Sequence, residues 1–379
     1  MTRFFIYPLN IGCVLIFALA LSLFNFSSFY QQPMFLEILL VLMMSGLYFT
    51  QNIIFNRRIN FNVSQSVSPN KYKKYLWFSF FGFLIEFGLF GIPLLSNAAR
   101  GELKVIPVFH VIFYSCAFVS VIFASLYSSK KDIFICLSVV FLISFLLLSR
   151  QMMMVAFLIF LISSSIRYKI SFAKFIKIVI YLLVIVILFG VIGNLRQKLT
   201  GDYVDQFIIV VGGANANGEK LGDVFYWVWL YIASPIYNFL VNINSYYSTG
   251  DFCNTRVYYG SCSGNYFSAV LLPDTLVKYL GFDQFDIDLE VSHLNVGTGY
   301  AAAARILGVP GVFIQIVLQG IFYYVGYRFM APNYRVAFIV YFSTLSCFMI
   351  FDNLFTHGEF FFVFILLYFA RYRFTWGRP

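Results

Sequence analysis

The chain has 379 residues, of which 61% are hydrophobic and only 11% are charged, and its mean hydropathy is +0.82. A soluble domain carries roughly 25% charged residues, so this composition excludes an ordinary water-soluble protein. The formal net charge of +10 does not indicate nucleic-acid binding. The lysines and arginines cluster in short loops between alternate apolar runs, a pattern that marks the cytoplasmic side of membrane proteins.

Apolar runs of membrane-spanning length follow one another along most of the chain. A run of about 20 residues crosses the hydrocarbon core as a helix, and lipid requires helices because every backbone polar group must find a partner within the protein. We therefore expect an all-α polytopic integral membrane protein with about 10–12 transmembrane helices. Ten spans are predicted, at residues 5–29, 33–55, 76–96, 107–129, 132–149, 151–166, 175–193, 306–327, 336–355 and 359–370.

The distribution of charge predicts the topology. Short loops rich in Lys and Arg place the N-terminus and the C-terminal tail in the cytoplasm. Residues 195–304 then lie outside, and they carry ten of the 16 acidic residues. We expect three parts: an N-terminal bundle of about seven helices (1–194), a large external region (195–304), and about three C-terminal helices with a cytoplasmic tail (305–379).

The external region is itself rich in apolar and aromatic residues. Residues 224–247 and, more weakly, 266–280 could each cross the membrane, which would raise the number of spans to 12. We favour helices that lie along the membrane surface, where Trp and Tyr accumulate. Cys253 and Cys262 flank a short polar hairpin in this region. A disulfide between them would fit an oxidising compartment outside the membrane.

Signatures of nucleotide and metal binding are missing from the sequence. There is no phosphate-binding loop, no dinucleotide fingerprint in a strand-helix setting and no zinc-binding helix motif. The three histidines are widely scattered. We therefore expect neither a metal nor a cofactor.

Arginines on the predicted outer side are the most informative charged residues. A guanidinium is permanently charged and binds phosphate bidentately, so outer arginines near the membrane indicate an anionic ligand at the depth of the lipid headgroups. Arginines that extend to lipid phosphates are the alternative interpretation. The arginines of this set are Arg100, Arg150, Arg196, Arg256 and Arg305.

Groups that could accept a proton lie in the acidic approach to the eighth span. His293 follows Asp288 and Glu290 there, and His357 lies in a short outer turn. A histidine can act as a base near neutral pH, and an ordinary loop histidine is the alternative. Glu86 lies within an apolar span, where an ionisable residue is either functional or makes a hydrogen bond between helices.

The order of these features resembles that of bacterial O-antigen and related oligosaccharide repeat-unit polymerases of the Wzy type, within the wider polymerase and O-antigen ligase superfamily. The topology carries most of the resemblance. Local motifs carry it at four places: GIPLLS followed by Arg100, SRQ at Arg150, Arg196 at the opening of the outer region, and a His and Asn followed by Gly-x-x-Gly at His293, Asn295, Gly308 and Gly311.

The resemblance implies a metal-independent glycosyltransferase with a membrane-embedded, GT-C-like fold in the bacterial inner membrane and a site that faces the periplasm. The donor would be a glycan on undecaprenyl diphosphate, and the acceptor a second lipid-linked unit. Membrane lipid and a chain-length regulator protein are the other expected partners, and nucleic acid is not expected. An O-antigen ligase and a flippase or transporter for lipid-linked sugar are the alternatives.

The resemblance also implies roles for individual residues. The diphosphate would contact Arg100, Arg150, Arg196 and Arg305. His293 would accept the proton of the attacking hydroxyl, with Glu290 and Asp288 as alternatives. The glycan would contact Tyr300, Asn295 and Arg256.

Overall fold

The structure is a computed structural model of the full chain. It describes residues 2–56, 59, 61, 63, 67–95, 105–168, 207–249, 262–282, 287–291, 294 and 296–370. Fourteen α-helices lie in these ranges: α1 (Leu9–Ser22), α2 (Phe35–Asn56), α3 (Lys71–Phe90), α4 (Pro107–Tyr127), α5 (Lys130–Leu146), α6 (Arg150–Tyr168), α7 (Phe207–Val211), α8 (Ala216–Glu219), α9 (Gly222–Thr249), α10 (Cys262–Val270), α11 (Asp274–Tyr279), α12 (Ala301–Phe329), α13 (Arg335–Phe348) and α14 (Gly358–Phe369).

The described part of the chain is an all-α, multi-pass membrane protein. Its β-structure is limited to one isolated bridge between Ser27 and Ala214. Five of its helices (α2, α4, α6, α9 and α12) are long and apolar enough to cross a membrane. Each predicted span that falls on described residues overlaps a helix, and the span predicted at 175–193 lies outside them.

Helix α4 is the centre of the bundle. All residues from Phe113 to Leu126 are buried, as expected of a helix that is surrounded by protein on every side. It packs against α3, α5, α6, α13 and α14. In contrast, only 28% of the apolar window of α2 is buried. Helix α2 therefore exposes most of its apolar surface, as a helix at the lipid boundary does.

Basic side chains that the sequence assigns to separate cytoplasmic loops meet at one end of the bundle. Lys71 Nζ donates to the hydroxyl of Tyr334, 2.6 Å away, and to the carbonyl of Ala370. Arg167 donates to the carbonyl of Ser128 at 2.7 Å, at the turn between α4 and α5. The Lys71 contacts join the ends of α3, α13 and α14, and the Arg167 contact joins the ends of α6 and α4. The Tyr127 hydroxyl at the end of α4 donates to the carbonyl of Asn333, which links the two groups.

Helix α9 packs along the connection between α1 and α2. Trp229 Nε1 donates to the carbonyl of Leu21 at 2.9 Å, and the Tyr237 hydroxyl donates to the carbonyl of Ser22. Further along, Asn244 donates to Glu37 at 2.9 Å. Three points spread over about 22 Å of helix thus contact the segment 21–37. This long apolar helix is the one that the sequence leaves open between a span and a surface helix.

Helix α12 is broken near its start. Gly308 has φ +62° and ψ −149°, a backbone conformation that is essentially restricted to glycine. A Cβ atom at Gly311 would collide with the carbonyl of Ala303. In a straight helix, residues eight apart are separated by about 12 Å along the axis. Residues 301–307 therefore fold back against the start of the long segment 309–329.

Candidate functional site

The reversal at Gly308 builds a re-entrant unit from residues 299–315. Gln315 Nε2 donates to the carbonyl of Gly299 at 2.8 Å, so the antiparallel contact between Ala303 and Gly311 continues four residues in each direction. The Tyr266 hydroxyl of α10 donates to the carbonyl of Gly311 at 2.7 Å. Broken helices at membrane depth are tolerated where they are buried in protein or line a cavity. The sequence prediction of a span that begins at 306 missed this unit, because the apolar run is continuous across the break.

An ion pair connects the re-entrant unit to the segment that precedes it in the chain. Arg305 Nε donates to Asp288 Oδ2 at 2.6 Å, and the two side chains are 7% and 41% exposed, respectively. The guanidinium is thus enclosed by the protein, whereas the carboxylate reaches the solvent-accessible side. A bond between a charged donor and a charged acceptor is about twice as strong as a neutral one. The structure brings together two residues that the sequence proposes separately, one as a diphosphate ligand and one as a base.

Two buried asparagines hold the segment that carries Asp288. The Asn242 side chain donates to the carbonyl of Asp288 at 2.8 Å and accepts from its N–H at 3.0 Å. One turn earlier on α9, Asn238 donates to the carbonyls of Leu294 and Val296, at 3.0 and 2.8 Å. Asn238 also accepts from the N–H of Glu290 at 3.3 Å.

These side-chain amides provide hydrogen-bond partners for backbone groups that lie outside the helices. Both asparagines are fully buried. The sequence predictions missed them because they lie in an aromatic and apolar run, where their spacing of four residues was the available signal. Through them, α9 determines where the backbone of Asp288 and Glu290 lies.

Tyr300 lies at the start of the re-entrant unit and connects it to α2. Its side chain is fully buried, and its hydroxyl lies 2.5 Å from the hydroxyl of Tyr48 on α2. The Tyr48 hydroxyl also donates to Gln319 Oε1 at 2.7 Å. Tyr300 is thus bonded within the helical body, and its proposed contact with a glycan stays a prediction.

Arg150 begins α6 and is flanked in sequence by two residues that line a cavity. The cavity has a volume of about 270 Å³, and Ser149 and Gln151, the two neighbours of Arg150, both line it. The buried carboxylate of Glu86 lies on its wall and contacts His110 Nδ1 at 2.8 Å. Glu86 therefore makes a hydrogen bond between α3 and α4, the simpler of the two interpretations that its sequence position allows.

His357 is unsuited to act as a base at neutral pH. Its Nε2 atom lies 3.0 Å from Asp352 Oδ2, in the turn between α13 and α14. Burial alone would lower the pKa of His357, but the hydrogen bond to Asp352 and the charges of Asp352, Asp274 and Glu359 raise it to about 9. The imidazole is therefore protonated near pH 7. Burial also raises the pKa of the neighbouring Asp274.

Several predicted site residues lie outside the described residues, and their roles stay predictions. These are Arg100, Arg196, Cys253, Arg256, His293 and Asn295, together with the side chain of Cys262. Within the described ranges, no three His, Cys, Asp or Glu side chains are grouped closely enough to hold a metal ion.

Comparison of the chain with protein-family models, curated proteins and solved structures found no match. A function is therefore inferred from the site itself: a carboxylate that is partly exposed, a buried arginine that binds it, and a broken helix that carries the arginine.

Proposed function

We propose that this chain is a membrane-embedded glycosyltransferase that polymerises undecaprenyl-diphosphate-linked oligosaccharide repeat units, such as those of an O-antigen. It works on the periplasmic face of the bacterial inner membrane and has a GT-C-like fold. The observation that carries the proposal is the Asp288–Arg305 ion pair at the reversal of a broken membrane helix. The sequence motifs at Arg150 and from His293 to Gly311 add support.

In the proposed reaction, a sugar hydroxyl of the acceptor attacks the anomeric carbon of the donor glycan. The new C–O bond forms as the bond between that carbon and the lipid diphosphate breaks, and the diphosphate leaves with the bonding electron pair. The hydroxyl proton passes to a base. Asp288 is the described candidate, since its carboxylate is 41% exposed and a positioned carboxylate can serve as a general base. His293 is the second candidate.

Arg305 is a positioning residue in this scheme. Its guanidinium is almost completely buried and bonded to Asp288, so it fixes the direction of the carboxylate through a charge-assisted hydrogen bond. The diphosphate is then the ligand of Arg150, Arg100 and Arg196. Negative charge grows on the diphosphate as it leaves. Arginines that contact the diphosphate at the depth of the lipid headgroups therefore stabilise the transition state more than the ground state.

The glycan profile of cells that lack the gene tests the proposal. A polymerase predicts lipid A core that carries one repeat unit and no ladder, and wild-type complementation restores the ladder. Loss of every unit from the core would indicate a ligase or a flippase and would overturn the proposal.

Complementation with Asp288→Asn tests the site. We expect the ladder to fall by about 100-fold or more at matched protein level, the typical contribution of a general base. Glu219→Gln is the matched control, because it neutralises an exposed carboxylate of the same external region. Full activity of Asp288→Asn would leave His293 as the base.

A further inference from the structure

Three polar side chains form a stripe within the membrane-spanning part of α12. Gln315, Gln319 and Tyr323 are spaced by four residues, so they lie on one face of the helix along about 12 Å of its axis. Their exposed fractions are 3%, 7% and 0%. Polar groups within a membrane are expensive and usually functional, yet none of the three belongs to the Asp288–Arg305 site.

Each of these side chains has a buried polar atom without a hydrogen-bond partner among the described residues: Gln315 Oε1, Gln319 Nε2 and the Tyr323 hydroxyl. The other end of each glutamine is bonded, Gln315 Nε2 to the Gly299 carbonyl and Gln319 Oε1 to the Tyr48 hydroxyl. The orientation of each amide is therefore fixed by one hydrogen bond, while the second polar atom of each amide has no hydrogen-bond partner among the described residues. Buried polar atoms almost always have a partner, either protein or ordered water.

The chemistry of the three atoms identifies the missing partner. Gln315 Oε1 can only accept, Gln319 Nε2 can only donate, and the Tyr323 hydroxyl can do both. A cation would satisfy the oxygens and be repelled by the amide N–H groups, and an anion would have the opposite preference. Water donates and accepts, so it alone suits all three atoms.

We infer that α12 binds a file of ordered water molecules along Gln315, Gln319 and Tyr323. At a hydrogen-bond spacing of about 2.8 Å, about four waters span the stripe. The file begins beside the re-entrant unit, where Gln315 donates to the carbonyl of Gly299. Gln319 lies next along it and accepts from the Tyr48 hydroxyl, which also contacts the Tyr300 hydroxyl. Ordered water would then lie between α12 and α2 in the interior of the protein. This inference does not depend on the proposed transferase activity.

X-ray radiolytic footprinting of the full-length protein in nanodiscs tests the inference without any substitution. Hydroxyl radicals formed from bound water oxidise the side chains that contact that water. Tyr323 and Tyr341 form a matched pair, because both are fully buried, but the Tyr341 hydroxyl donates to the carbonyl of Phe360 at 2.8 Å. We expect rapid oxidation of Tyr323 and little oxidation of Tyr341. Equal protection of both would overturn the inference.

A second measurement uses the Tyr323→Phe variant. If water binds the hydroxyl, its removal costs a hydrogen bond, and the apparent Tm should fall by roughly 2 °C or more. If the stripe is dry, removal of an unsatisfied hydroxyl should raise the Tm, which would contradict a bound file. Replacement of K⁺ by Na⁺ should leave the Tm of the wild type unchanged. A Na⁺-dependent rise that Tyr323→Phe abolishes would identify a cation site and overturn the assignment to water.

Discussion

Arg305 and Asp288 form an unequal ion pair: the arginine side chain is 7% exposed, the aspartate side chain is 41% exposed, and their nearest atoms are 2.6 Å apart. Loss of one partner therefore has a different cost from loss of the other. Removal of the aspartate takes this carboxylate away from a buried guanidinium, whereas removal of the arginine leaves a carboxylate that water can reach.

We accordingly expect Asp288→Asn to destabilise the protein more than Arg305→Met. Breaking a buried pair costs about 3–5 kcal/mol when a charge remains buried, and the Asp288 substitution should approach the lower end. Apparent Tm values of the purified variants in one detergent provide the comparison. An equal loss, or the reverse order, would show that the guanidinium has another sufficient partner.

The reversal of α12 predicts an unusual response to small substitutions. Gly311→Ala should destabilise the protein by about 1–3 kcal/mol, the usual range for overpacking, because its Cβ meets the backbone of Ala303. Gly46→Ala is the control. A Cβ atom at Gly46, in α2, would meet no other atom within 4 Å, and alanine at an open helical position should be neutral or slightly stabilising. Similar Tm values for the two variants would contradict the folded-back geometry.

The asparagine contacts predict a local effect on hydrogen exchange. Asn242→Leu removes both bonds to the backbone of Asp288, so the amides of residues 288–291 should exchange at least tenfold faster, while α4 stays protected. A buried backbone group left without a partner costs about 1–3 kcal/mol, which supports a change of this size. Asn244→Leu is the control, because that exposed asparagine of the same helix donates to Glu37. Unchanged exchange at 288–291 would mean that Asn242 does not hold the segment.

His357 predicts a pH dependence of stability. Its pKa is raised from 6.5 in the unfolded chain to about 9 in the folded protein. The resulting stabilisation is fully present below pH 6.5 and is lost as the pH rises through about 9. The apparent Tm of the wild type should therefore fall between these values, and His357→Gln should flatten that part of the profile. A profile that the substitution leaves unchanged would show that the Asp352 contact does not contribute.

The sequence predicts the membrane helices well because the length of an apolar run is a local property. It does not predict the break at Gly308, because Gly308 and Pro310 lie in an apolar run that continues on both sides. The Asp288–Arg305 pair depends on how the chain folds back. Asn238 and Asn242 acquire their role only when Asp288, Glu290, Leu294 and Val296 lie against α9. The motif glycines, Gly308 and Gly311, are evident in the sequence, and the structure supplies the physical reason for both.

The two asparagines of α9 also impose a register on the chain. They are one helical turn apart. Asn242 bonds the backbone of Asp288, and Asn238 bonds the backbone of Glu290, Leu294 and Val296. Insertion of a single residue between them would rotate one asparagine by about 100° around the helix axis. That asparagine would then lose its hydrogen bonds to the backbone. The spacing of four residues between Asn238 and Asn242 is therefore constrained by backbone that lies far from them in sequence.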